Sequence, residues 1–170
     1  MNRKQIQSLC QAAAVAALYV LLTLLSAVFG LSGGAIQLRL SECLCVLPVF
    51  LPAAVPGLFL GCLVSNLLCG GIIWDVIFGS LATLLGAWGT RRLRKRPRLA
   101  LLPPVLANTL IVPAVLAWAY HVEQGYWLLA LTVGAGELLS CGVLGGLLYR
   151  PLYRAAVKLK LISPSSLEEC

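Results

Sequence analysis

The chain has 170 residues, of which 60% are hydrophobic and 11% charged, and its formal net charge is +7. Soluble domains run at about 45–50% apolar and about 25% charged, so an ordinary soluble domain is excluded. The charge is not a nucleic-acid surface either, because twelve of the 13 basic residues are bunched at the ends of apolar runs rather than spread along a face.

Six apolar stretches approach the roughly 20 residues that cross a bilayer: residues 8–30, 36–52, 54–71, 73–90, 101–120 and 127–149. They consume most of the chain, so residues 1–170 read as one all-α integral membrane domain with six transmembrane helices. The first stretch follows Arg3 and Lys4 but outruns the apolar core of a signal peptide, about 7–15 residues, and is expected to be retained. Its first half carries Ala12, Ala13, Ala16 and Ala17, two small-xxx-small pairs that let helices approach closely in lipid. They suit packing inside the bundle and docking to another membrane protein equally well. Gly57/Gly61 and Gly142/Gly146 repeat the spacing and fit internal crossings better.

The second stretch opens on Arg39-Leu40-Ser41-Glu42, a cation and an anion three residues apart at the mouth of an apolar run. Each charge costs roughly 2.5–3.5 kcal/mol at a membrane-helix centre, less near an interface. A local ion pair or a ligand would recover that cost. Pro48, Pro52 and Pro56 mark a tight, uncharged turn into the third stretch, which carries Asn66. The fourth begins at Trp74-Asp75, where Asp75 suits an N-cap or an interfacial site. The fifth opens on Pro103-Pro104, tolerated in a first turn, and holds Asn108 and Pro113, the latter expected to kink it. Asn108 reads equally as interhelical glue. The loop before the sixth stretch holds His121 and Glu123, with Tyr126 and Trp127, like Trp74, suiting interfacial aromatics or rings that stack in a ligand pocket. Glu137 then lies about ten residues into the last stretch, roughly 15 Å deep.

Charge settles the expected orientation. Arg3 and Lys4, the loop Arg91, Arg92, Arg94, Lys95, Arg96 and Arg98, and Arg150, Arg154, Lys158 and Lys160 all fall on one side if there are six spans. The positive-inside rule makes that side cytoplasmic, with both termini. Arg39, Glu42, Asp75, Glu123 and Glu137 then share the outer half, and an outward-opening polar pocket with Glu137 as its floor is the simplest way to satisfy them. The seven cysteines form no CxxC or Cys/His cluster, so neither a disulfide framework nor a metal site is expected. There is no phosphate-cradling loop, no HExxH, no GxSxG and a single histidine, so enzyme and ATPase chemistry find no support. A pocket with several carboxylates suits a ligand rich in N–H donors or positively charged, such as the amidine-like edge of a purine base.

Several segments together resemble the QueT-type queuosine-precursor transporters: residues 35–42 (Ala-Ile-Gln-Leu-Arg-Leu-Ser-Glu), 47–50 (Leu-Pro-Val-Phe), 57–62 with Ser65-Asn66, 75–84, 103–108 and Gly134–Glu137. The resemblance covers roughly residues 8–150. It implies the substrate-binding (S) component of an energy-coupling factor (ECF) transporter in a prokaryotic cell membrane. Such a component docks on a coupling membrane protein and two cytoplasmic ATPases, uses no cofactor of its own, and topples to deliver its ligand. Ala12, Ala13, Ala16 and Ala17 match the expected docking surface. The implied ligand is a 7-deazaguanine, queuine or a precursor, with Glu42 and Glu137 at its N–H edge and Arg39 orienting Glu42 or bonding a ligand carbonyl. An S-component for another small solute, or a structural membrane protein whose charges pair internally, are the alternatives.

Overall fold

A computed structural model describes residues 2–31, 38–119 and 125–159, apart from the side chains of Pro97 and Arg98. His121, Glu123 and the Gly33-Gly34 pair lie outside the described residues. Among the described residues all regular structure is helical. In chain order come α1 (Arg3–Val28), a 3-10 helix (Leu40–Val49), α2 (Ala54–Leu68), α3 (Ile73–Arg92), the short α4 (Pro97–Ala100) and α5 (Leu102–Ala119). The last rod joins α6 (Tyr126–Glu137), a π-helical segment (Leu138–Leu144) and α7 (Gly145–Lys158).

Four of these are long and apolar enough to cross a membrane: Arg3–Val28, Ile73–Arg92, Leu102–Ala119 and the 33-residue rod Tyr126–Lys158. The stretches expected at 36–52 and 54–71 form shorter apolar helices instead. Ten 3-10 residues rise only about 20 Å, and the 15 residues of α2 about 22 Å. Proline is the physical reason at their junction. Pro48 lies within the 3-10 helix, Pro52 follows it with no N–H to continue a ladder, and Pro56 sits in the first turn of α2. Pro113, by contrast, lies inside an unbroken α5.

α1 packs on α2, α2 on α3, α3 on α5 and α5 on α6. The 3-10 helix runs through their midst, touching α1, α2, α3, α7 and the π segment, and every residue from Ser41 to Val46 is buried. The α1–α2 crossing is close because of the glycines. A Cβ on Gly57 would stand 2.7 Å from the Ala12 carbonyl oxygen, and one on Gly61 would stand 3.0 Å from that of Ala16 and 2.7 Å from Tyr19 Cβ. The Gly142/Gly146 pair makes no such crossing, since a Cβ on Gly142 meets only Leu138 at 4.0 Å and one on Gly146 meets nothing within 4 Å. Gly145 is the residue that approaches a neighbour there, with its Cβ position 3.3 Å from the Cys43 carbonyl oxygen.

The two ends of the bundle differ in chemistry. At one end α1 and α2 finish in the same way. Gly30 (φ 67°) and Gly70 (φ 73°) take left-handed backbone, Leu31 N donates to Ser26 O and Gly71 N to Asn66 O, both at 2.9 Å. These are glycine-terminated helix caps that close the last turn. Arg39 and Asp75 lie at this end. At the other, Phe50 packs on Tyr149 and Tyr153 over a core of Val46, Val49, Ala100 and Ala156. The helix directions place Arg3, Lys4, the 91–96 basic run, Arg150, Arg154 and Lys158 there.

Candidate functional site

Glu42 stands at the centre of the bundle with 1% of its surface exposed. Tyr19 Oη donates to its Oε1. Cys45 Sγ and Asn108 Nδ2 donate to its Oε2 at 3.1 Å and 3.4 Å. The local geometry explains each donor. In a 3-10 helix residues i and i+3 eclipse, which brings Cys45 over Glu42. Tyr19 belongs to the buried stripe of α1, Ala12, Val15, Tyr19, Thr23 and Ser26, at the three- and four-residue spacing of a helix face. Asn108 comes from the buried stripe of α5, with Val105, Val112 and Val115. Arg39 is the residue before the 3-10 helix, in extended backbone (φ −100°, ψ 102°). The tetrad therefore divides: Glu42 turns into the core while Arg39 lines a cleft.

Glu137, the last residue of α6, is 6% exposed. The Asn108 side chain, which donates to Glu42, lies beside it as well. Glu137 Oε2 is buried and has no hydrogen-bond partner among the described residues, a condition shared by the Ser41, Thr90, Thr109 and Ser140 hydroxyls. A buried acceptor left unmade costs about 1–3 kcal/mol, and more when charged. The chain passes into the π segment directly after Glu137. π geometry is uncommon and is found mostly at functional positions. Glycines at 134, 136, 142, 145 and 146 leave this stretch with weak α-helical preference.

The cleft, of about 320 Å³, opens between the capped ends of α1 and α2 and the start of α3. Thr23, Ser26, Arg39, Asn66 and Asp75 are its polar lining. Ser26 and Asn66 reach it because each is the residue whose carbonyl accepts the capping bond at its helix end. Asn66, 4% exposed, places Nδ2 3.4 Å from the Asp75 carbonyl oxygen. Gly79 makes room for both, since a Cβ there would stand 3.1 Å from Asn66 Nδ2 and 3.4 Å from Asp75 Oδ1. Ser26 Oγ also accepts from Leu40 N at 2.9 Å, fastening the 3-10 helix to α1.

The predicted residues thus fall into two groups with Arg39 and Glu42 one 3-10 turn apart. Arg39, Asn66 and Asp75 line the cleft; Glu42, Asn108 and Glu137 form the buried cluster. The tryptophans belong to neither. Trp74 is 42% exposed and packs on Phe78 and Trp118, and Trp127 is 79% exposed against Tyr126. Ala12 is buried and Ala16 half-buried at the α2 crossing, whereas Ala13 and Ala17 are exposed. Sequence reasoning missed Tyr19, Cys45, Thr23 and Ser26. The three α1 residues carry a signal, polar groups continuing the helical stripe of Ala12. Cys45 carries none without knowledge of the 3-10 geometry. Among the described residues no group of three His, Cys, Asp or Glu side chains is placed to hold a metal ion.

The sequence profile of the family described as QueT transporter matches residues 9–154. A curated protein of Lactococcus lactis subsp. cremoris (strain MG1363), described as "Queuosine precursor transporter QueT", is 37% identical over 86 residues, which are 50% of this chain and 50% of that protein. The alignment thus spans about half the length of the relative. No solved structure matches the chain. With a profile that runs from the first turns of α1 into α7, and apolar helices long enough for a multi-pass membrane protein, the chain belongs to the QueT transporter family.

Proposed function

We propose that this protein is the substrate-binding component of an ECF-type uptake transporter and that its ligand is a 7-deazaguanine, queuine or a precursor of queuosine. The description of the Lactococcus relative supports the substrate class. The observation that carries the reading is the unpartnered Oε2 of Glu137, buried beside Asn108 and Glu42. The N–H edge of a guanine-like base presents two parallel donors to a carboxylate, a charge-assisted pairing that is short and strong. Asn108, beside both carboxylates, offers both a donor and an acceptor to the base. Arg39, Asn66 and Asp75 form the mouth through which the ligand enters, and Arg39 bonds its carbonyl.

All six apolar helical segments cross the membrane in this reading, the short 3-10 helix and α2 included. The basic end faces the cytoplasm under the positive-inside rule, and the cleft opens outward. ATP is hydrolysed by two partner ATPases, and a coupling membrane protein docks on α1. Because Ala12 and Ala16 are taken up by α2, the docking face consists of Ala13 and Ala17. Ala13→Leu with Ala17→Leu should then preserve ligand binding by the isolated protein and abolish uptake by the assembled transporter. Unimpaired uptake would remove α1 from the docking surface.

Titration of the purified, monodisperse protein with queuine and its 7-deazaguanine precursors tests the substrate. Saturable binding is expected. Absence of affinity for all of them in a folded sample overturns the substrate, and mass spectrometry of any co-purified small molecule would then identify the solute carried instead.

A further inference from the structure

The 3-10 helix that carries Glu42 is tied down at both ends, and its second tie comes from a residue outside the ligand cluster. Pro52 has no backbone N–H. An α-helical continuation would have residue 52 donate to the carbonyl of Pro48, and a 3-10 continuation would have it donate to that of Val49. Both residues are buried, so water is a poor substitute. The chain's own bonds converge one residue earlier, Phe50 N and Leu51 N donating to Leu47 O at 3.0 Å and 2.9 Å. Arg91, in the last turn of α3, supplies the missing donor. Its Nη1 lies 3.1 Å from Pro48 O and 3.0 Å from Val49 O. A cation here also meets the negative end of the helix dipole.

We propose that Arg91 is a positioning residue for the ligand site. Through the Pro48 and Val49 carbonyls it holds the far end of the 3-10 helix and so sets the register of Glu42 against Tyr19 and Asn108. The lever is short and stiff: Glu42 lies seven residues from Val49, about 14 Å at the 3-10 rise, and the intervening residues are buried apart from the half-buried Leu47. The other end is fixed by Ser26 Oγ on Leu40 N at 2.9 Å. A segment pinned at both ends keeps its carboxylate in one place. Released at one end, it slides or frays, and ordering it again on ligand binding lowers affinity. By linkage, ligand binding in turn strengthens the Arg91 clamp. Arg92, its neighbour, serves as a control, because its guanidinium lies over the Trp88 ring at 4.8 Å instead.

The inference rests on the ligand reading above. Titration with queuine and its precursors, beside hydrogen exchange of residues 40–51, is made on the wild type, Arg91→Met, Arg91→Lys and Arg92→Met. Arg91→Met should raise Kd about tenfold and speed exchange across 40–51. Arg91→Lys, whose ammonium can serve both carbonyls, should recover most of the affinity, and Arg92→Met should bind as the wild type does. Should Arg91→Met not fold, Arg91→Gln carries the same expectation on a shorter arm. Unchanged Kd in a folded Arg91 variant that lacks the cation overturns the positioning role, even if its melting temperature falls. No affinity in the wild type overturns the ligand reading instead, a separate outcome.

Discussion

Glu42 and Glu137 are both carboxylates in the middle of an apolar bundle, yet the protein treats them differently. Glu42 receives a phenol, a thiol and an amide from three elements. Glu137 lies beside Asn108 and keeps one buried oxygen without a partner among the described residues. The first is built into the fold, since three helical elements meet on it. The second holds bonding capacity that the protein does not use. A buried acceptor without a donor is a standing cost, and a site that recovers the cost only when a donor arrives turns it into affinity. Substitutions at the two positions should therefore separate binding from stability.

The largest effect expected is at Glu137. In Glu137→Gln the charge-assisted bonds to the ligand become neutral ones, and one amide face now repels an N–H donor. Charged hydrogen bonds contribute about 1.5–3 kcal/mol, so 7-deazaguanine affinity should fall by roughly a hundredfold. The melting temperature of the ligand-free protein should hold or rise, since a buried amide is cheaper than a buried carboxylate. Isothermal titration beside thermal unfolding would check both. A variant that binds normally would place the ligand elsewhere in the bundle, with the cleft at Arg39 and Asp75 as the next place to look.

Much of this arrangement is legible in the sequence, and what is not has a physical cause. The long apolar runs announce α1, α3, α5 and the last rod by length alone. Bunched basic residues against scattered acidic ones anticipate a bundle with two unlike ends, Arg39 and Asp75 at one and the 91–96 run at the other. The 3-10 helix is hidden, because hydrophobic periodicity does not separate it from an α-helix in a run that is apolar on every side. That ambiguity makes Arg39 and Glu42 resemble a local ion pair. The 3-10 helix begins only at Leu40, and the extended backbone of Arg39 before it sends the two side chains to different places. The alanines of α1 show the same limit. Ala12/Ala16 and Ala13/Ala17 have identical spacing one residue apart, and only Gly57 and Gly61 on α2 decide which pair is covered.

A smaller effect is expected at Tyr19, and it sharpens the contrast because it reaches Glu42 through a side chain that does not itself touch the ligand. Tyr19 is 1% exposed, and a Cβ on Gly61 would meet its Cβ at 2.7 Å, so the ring has no room to move. Tyr19→Phe keeps the ring and deletes the hydroxyl, leaving Glu42 Oε1 without its donor. The cost should fall first on the fold, about 1–3 kcal/mol, the range for a buried acceptor deprived of its partner. Affinity should drop less than tenfold, since Cys45 and Asn108 still hold the other oxygen. Chemical denaturation in detergent and ligand titration, run on Tyr19→Phe and Glu137→Gln together, give opposite patterns if the two carboxylates divide the work in this way: stability lost with affinity nearly kept in one, affinity lost with stability kept in the other. If Tyr19→Phe instead abolishes binding while the fold is untouched, the phenol touches the ligand itself and is part of the binding surface.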